Sequence, residues 1–471
     1  MNFVVYDLIF LALFSIFVVW FLWRNKKRVE REGILYLYRT QVGVKILNYI
    51  GKKYKRTLDF LSYLIVIVGY ALMIFFTYYM VKVVYYYFIY PQFTELFDGP
   101  PLMLLIPYFP QIFGVSEFFP AFYFTYFLVA IAIVAIVHEG AHGIFMRRYG
   151  IGVKSTGFGF LGPILAFFVE QDEKDMPKKP IFQQLTVLAA GVFANLIIGI
   201  VFLGLLIFFF SSFYTPYGVT IVGYSASNIL TTNINELTIS DEMIQINGED
   251  LVRVDINGKS YFAPESILEL DPEEIKNTKA VMTLYQNQPA IHVGLKGTII
   301  KINGVETRSL EALQGEFSKF KVGDEIQIQT DYNGEIDNYD ITLGESYEEA
   351  GKPVVGIGIG SENPLRVFAI IDNLFKEPGI DYRADSNPEL MDFIFLLLEW
   401  VILINILVAL FNMLPLGIFD GGRFFYLTIL AITKNEKFAN KAFRFMTIAL
   451  LLMVTSLMVI WVLRRFVFPL F

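Results

Sequence analysis

The sequence predicts a multi-span α-helical membrane protein of about six transmembrane helices, interrupted by one large β-rich insertion. Three observations predict it. Hydrophobic residues make up 55% of the 471-residue chain and charged residues only 18%, against about 25% charged in an ordinary soluble domain. The apolar residues gather into six runs, at 3–23, 62–80, 119–137, 182–210, 391–411 and 444–463. Each is long enough for the roughly 20 residues that carry a helix across a bilayer, and lipid leaves helix as the only way to satisfy the backbone. The block 215–362 has no such run and alternates instead in the manner of strands.

The N-terminal region, 1–90, holds the first two runs. The first starts at residue 3 without a basic leader or a small-residue cleavage site, so it reads as a retained span, not a removed signal peptide. Between Arg24 and Asp59 lie eleven Lys or Arg against three acids. Positive charge beside span ends stays in the cytoplasm, which places loop 24–59 inside and the N-terminus outside. Counting onward, 62–80 exits and 119–142 re-enters, and Arg147 and Arg148 fall inside, in agreement with the same rule. The fourth run exits, the fifth returns and the sixth leaves; Arg464 and Arg465 run against this last step. A multi-pass protein of the cell membrane follows, with segments 119–212 and 390–471 as two halves of a membrane core. Cysteine is absent, which excludes disulfides, thiolate metal sites and cysteine nucleophiles.

The counting leaves 215–362 extracytoplasmic. Within 215–360 there are 23 Asp or Glu against 10 Lys or Arg, a surface that keeps an exposed domain soluble; no nucleic-acid partner is expected. Ile326–Thr330 and Tyr339–Leu343 alternate like strands around the turn Asp331-Tyr332-Asn333-Gly334. Ile-Asn-Gly occurs at 246–248, 256–258 and 302–304, and Asn-Gly supplies the positive φ angles of tight hairpins. Met243–Leu251 and Ile299–Thr307 look like one hairpin used twice, which means either a duplicated small domain or one domain with a long insertion.

The chemistry sits in the runs. The three histidines are His138, His142 and His292, and two of them form His138-Glu139-Gly140-Ala141-His142. Histidines four apart share a helix face, so both imidazoles can reach one metal, and Glu139 beside them can accept a proton from attacking water. An ionisable cluster after the apolar stretch Phe127–Val137 is costly and seldom idle. A catalytic zinc takes three protein ligands, and without cysteine the third is His, Asp or Glu. His292, in the acidic block, reads as an ordinary surface or strand histidine. Asp420 is the better candidate. It follows Asn412-Met413-Leu414-Pro415-Leu416-Gly417-Ile418-Phe419, where Pro415 ends the fifth span, and precedes Gly421-Gly422. The competing role for it is a cap on the next helix. In the fourth run, Gly191-Val192-Phe193-Ala194-Asn195 combines a close-approach glycine with an amide that needs a partner in lipid. Asn195 could staple two spans or donate to an oxyanion.

Residues 138–142, 191–195 and 412–421 resemble the HExxH, GxxxN and NxxPxxxxDG motifs of the site-2 protease family of intramembrane zinc metalloproteases. The order matches, and the resemblance covers roughly 119–463. It implies His138, His142 and Asp420 as ligands of one zinc ion, Glu139 as general base, and Asn195 as a substrate or transition-state contact. The implied substrates are transmembrane proteins within the lipid bilayer, cut in or near their spans in regulated intramembrane proteolysis. The implied active site lies toward the cytoplasm. The stretch 215–362 resembles the PDZ-like module of many members, best over Gly297–Gly344, and such a module would contact the substrate's extracytoplasmic end. Gly157–Lys179 resembles the family's re-entrant segment, thought to lay a substrate strand beside the zinc, and Leu37-Tyr38-Arg39-Thr40 resembles the lead-in of archaeal members. Two spans before the core and a long exterior block depart from the family pattern. A metal transporter and a catalytically inactive membrane scaffold are the competing readings. A transporter usually repeats its site between halves, and no second histidine cluster exists in the sequence.

Overall fold

The computed structural model describes residues 3–90, 100–103, 105–172, 174–246, 249–269, 275, 280–360 and 367–464. The chain forms two compact units, Met1–Phe210 with Asp392–Phe471, and Ser211–Met391. Its long helices are α1 (Phe3–Arg24), α2 (Val42–Lys53), α3 (Lys55–Ile89), α4 (Phe124–Arg148), α5 (Ile181–Phe213), α6 (Pro388–Asn412), α7 (Asp420–Thr433) and α8 (Glu436–Val462). Among the described residues six helices, all of these but α2 and α7, are long and apolar enough to cross a membrane. The chain is a multi-pass membrane protein. Helix boundaries depart from the apolar runs where local chemistry dictates. The run at 119 becomes helical only at Phe124, because Phe119 precedes Pro120 and a residue before proline is driven out of the helical region. The helix then continues through the histidine pair to Arg148. Arg465 lies outside the described residues.

In the first unit, small residues set helix spacing, since close packing rather than water release holds helices together in lipid. A Cβ on Gly69 of α3 would stand 2.9 Å from the Cβ of Ala189 in α5 and 3.3 Å from the Phe424 ring of α7. Three helices therefore meet at one glycine. The amphipathic α2 buries Val44, Leu47 and Gly51 and exposes Lys45, Lys52 and Lys53. Leu47 rests on Gly143 of α4, where an added Cβ would lie 2.5 Å from its Cδ1.

A four-stranded antiparallel sheet joins distant parts of this unit. Its strands β1 (Val29–Glu32), β2 (Leu35–Thr40), β3 (Val153–Leu161) and β4 (Ile164–Gln171) lie in that order. Tyr36 pairs with Phe160 and Thr40 with Thr156. Arg39 fastens three strands, binding Glu30, Glu32 at 2.6 Å and Glu170 at 3.0 Å. The Ser155 hydroxyl and then Arg39 hold the Glu170 carboxyl below the usual carboxylate range.

The second unit is built around β5 (Tyr214–Tyr224), which pairs with Thr298–Ile302, Ile357–Ile359 and Ile380–Ala384. Val219, Ile299, Ile302, Ile326, Ile328 and Ile341 form its core. Strands Glu325–Tyr332 and Glu335–Thr342 join at Asn333-Gly334, with φ of 54° and 87°. Asn257-Gly258 and Asn303-Gly304 adopt the same left-handed pair, the reason Asn-Gly is chosen there. Asn247 and Gly248, of the remaining Ile-Asn-Gly, lie outside the described residues. Strands Ala226–Leu230, Leu237–Ile246, Glu249–Ile256, Lys259–Pro264 and Val281–Gln286 make a separate five-stranded sheet with its own core of Val252, Val254, Ile256 and Leu284. The two stretches that look alike in sequence, around 243–251 and 299–307, thus belong to different sheets.

Asp331 is the polar anchor of this unit. It accepts from Tyr217 Oη at 2.7 Å, Arg383 at 2.8 Å and the Gly334 amide at 2.9 Å. The Arg383 hydrogen bond, foremost, holds its carboxyl below the usual range. A depressed carboxylate contributes stability above its unfolded pKa, and that stability is lost as pH falls through the folded value. Thermal stability of this unit, followed by hydrogen exchange in Thr298–Ile302 and Glu325–Tyr332 of the intact chain, should fall below about pH 4. Asp331→Asn should lower stability at neutral pH and flatten that decline.

Candidate active site

Helix periodicity brings His138 and His142 onto one face of α4, buried at 7% exposure each. Their Nε2 atoms are 3.0 Å apart. Asp420 reaches them from 282 residues along the chain, its Oδ2 3.2 Å from His138 Nε2 and 3.3 Å from His142 Nε2. The chain can do this because α6 stops at Asn412 and α7 starts at Asp420 after a tight turn. Gly421 and Gly422 make the turn possible: a Cβ on either would lie 2.2–2.4 Å from backbone atoms of Met413 or Leu416. Phe419, not Asp420, occupies the cap position of α7.

The ring orientations are fixed from behind. His142 Nδ1 donates to the Val187 carbonyl at 2.6 Å, which leaves Nε2 as the ring nitrogen turned toward Asp420. His138 Nδ1 lies 3.2 Å from the Asn195 side-chain amide, and Asn195 is fully buried with its Oδ1 lacking a partner among the described residues. Turning that amide over would set Oδ1 against Nδ1–H and satisfy both groups. Gly191 gives the rings room. A Cβ there would stand 2.6 Å from His142 Nε2 and 2.7 Å from His138 Cε1. Glu139 accepts a hydrogen bond from the Val169 amide of β4 at 3.1 Å, so the outer edge of the hairpin β3–β4 borders the cluster.

The triangle of ligand atoms, with edges of 3.0, 3.2 and 3.3 Å, fits a metal. A tetrahedral ion with bonds of 2.0–2.1 Å separates its ligands by about 3.3 Å. Among the described residues this is the one group of three His, Asp or Glu side chains able to hold a metal. The structure thus brings His138, His142, Asp420, Glu139 and Asn195 together. His292 lies in the second unit, exposed and bonded to Asn287 at 2.5 Å. Arg147 donates to the Val153 carbonyl and Arg148 to Asp59, so both guanidinium groups serve local structure. The roles of the Val187 carbonyl and the Val169 amide are invisible in the sequence, because backbone groups carry no signature. The sequence also leaves Asn412, 3.4 Å from His138 Nε2, without a role although it opens the third motif.

A helix-borne histidine pair joined by a carboxylate from just past the end of α6 is an arrangement suited to a membrane metallopeptidase. Residues 126–454 match the sequence model of peptidase family M50. The chain belongs to that family. A Clostridium perfringens protein whose name proposes a zinc metalloprotease is 23% identical over 386 residues, covering 74% of this chain and 99% of the relative. Among solved structures, the PDZ domain of an SdrC-like protein from Listeria monocytogenes is similar at 24% identity, covering 17% of this chain and 83% of that one, with a TM-score of 0.15.

Proposed function

We propose that the protein is an intramembrane zinc protease of the site-2 type, hydrolysing peptide bonds within or near transmembrane segments of other membrane proteins. The observation that carries this reading is the three-sided cluster of His138, His142 and Asp420 beside Glu139. His138, His142 and Asp420 are the proposed ligands of one zinc ion. When bound, zinc lowers the pKa of water toward about 7 and polarises a carbonyl. Glu139 takes the proton of the attacking water and passes it to the leaving amine. Asn195, closed off from solvent and set against His138, is proposed to fix that ring rather than to touch substrate; partners of this kind raise ligand basicity and hold tautomers. β4 pairs with β3 on one side, and its other edge, at Val169, faces Glu139. That supports the expectation that an unwound substrate segment lies along β4.

Sidedness follows the charge distribution. The basic loop 24–59 supports a cytoplasmic setting for the C-terminal end of α4 and the active site, and residues 215–362 are proposed to lie outside the cell membrane as a PDZ-like region that contacts the substrate's outer end. The membrane halves 119–212 and 390–471 form the catalytic core. The test is Glu139→Gln, assayed on a transmembrane substrate in detergent beside metal analysis. Zinc content should stay that of wild type while hydrolysis falls by at least about a thousand-fold, within the range of general-base losses. Normal turnover by this variant would refute the assigned base. Zinc flux in liposomes without cleavage would favour a transporter.

A further inference from the structure

The helix that carries the histidine pair starts without a cap of its own. Tyr123 occupies the N-cap position of α4 and offers no side-chain bond, yet the first amides of a helix need acceptors, all the more in a low-dielectric setting. The acceptor comes from α1. Asp7 accepts from the Phe124 amide at 2.8 Å, the Thr125 amide at 2.9 Å, the Thr125 hydroxyl at 2.6 Å and the Tyr108 hydroxyl at 2.5 Å. It is 1% exposed. From Phe3 to Trp23 it is the one charged residue of α1, and most of that helix is exposed; only Asp7 and Val18 are buried. A carboxylate in such a helix is costly without partners, and the positive end of α4 supplies them. Phe10 and Phe14 rest on the Phe124 ring, centroids 5.8 and 5.6 Å away.

We infer that Asp7 is a positioning residue for the proposed reaction: through it the first span holds the start of the ligand-bearing helix, and so the axial setting of His138 and His142. This rests on the proposed function, and it concerns a helix outside the matched residues 126–454. His138 lies fourteen residues past Phe124, about 21 Å along a stiff rod, so a slip at the cap is carried to the site. Replacing the cap should leave zinc bound but misalign Glu139 with substrate.

The test uses the full chain with Asp7→Ala, Asp7→Asn, Tyr108→Phe and, as a control on the same helix, Ser15→Ala, whose hydroxyl bonds the Leu11 carbonyl of its own helix. Asp7→Ala should speed amide exchange at Phe124 and Thr125 by about a hundred-fold and lower kcat by about ten-fold or more with KM and zinc content unchanged. Asp7→Asn should fall between. Tyr108→Phe, which removes one of four bonds and keeps the fold, should speed exchange two- to three-fold, and Ser15→Ala should match wild type. Wild-type exchange in Asp7→Ala and Tyr108→Phe, or faster exchange with wild-type kcat, would overturn the inference. Absence of hydrolysis in wild type would instead overturn the proposed function, and the exchange result would still decide whether Asp7 is the cap.

Discussion

Gly191→Ala should empty the site of its metal and lower hydrolysis by at least about a hundred-fold. The new methyl would stand 2.6 Å from His142 Nε2, 2.7 Å from His138 Cε1 and 2.8 Å from His138 Nδ1, all inside van der Waals contact. These rings cannot swing aside freely. One is fixed by the Val187 carbonyl, the other by Asn195, and Val187 and Asn195 belong to the same helix as Gly191. Relief therefore requires α5 to retreat from α4, or the imidazoles to leave the triangle they form with Asp420. Sites of this kind tolerate about 0.5 Å of error, and a displacement of 1 Å can cost about a hundred-fold in rate. Metal analysis and a cleavage assay on the purified variant check this. Gly204, on the same helix with open space around its Cα, provides the control, and Gly204→Ala should behave as wild type.

Asp420→Ala should lower zinc affinity by more than about a hundred-fold and abolish turnover, with the fold retained. Changing a group behind a ligand already costs 10–100-fold, and Asp420 is the one anion in the proposed ligand set. The fold should survive because the carboxylate does not cap α7 and its side chain is 25% exposed. The turn is held instead by the close contacts of Gly421 and Gly422 with Met413 and Leu416. Stoichiometric zinc in Asp420→Ala would place the third ligand elsewhere.

Much of the site is legible in sequence because its chemistry is rare there. Only three histidines occur, two of them at helical spacing, and a proline followed by a carboxylate and two glycines interrupts an apolar run. The Asn-Gly turns at 257 and 333 were equally legible, since few residues accept their positive φ. What escaped depends on contacts between distant segments. Nothing in Leu35–Thr40 announces that it pairs with Val153–Leu161. Helix α2 is short and lies in a loop with fourteen charges, so its buried stripe of Val44, Leu47 and Gly51 shows only against α4. The strand Ile380–Ala384, which extends the β5 sheet past residue 362, is too short to stand out. Asp7 reads locally as a flaw in an apolar span, and its role emerges only when Phe124 and Thr125 are brought beside it.

One zinc ion is proposed to be held jointly by the imidazoles of α4 and the carboxylate at the start of α7. Zinc-edge X-ray absorption on the purified full-length protein, quantified per chain, tests it most directly. The expected result is one zinc per chain with scattering from two imidazoles and oxygen ligands at about 2.0–2.1 Å, collapsing in His142→Ala. Cleavage by metal-free protein, or a bound zinc whose spectrum lacks the imidazole pair, would contradict it.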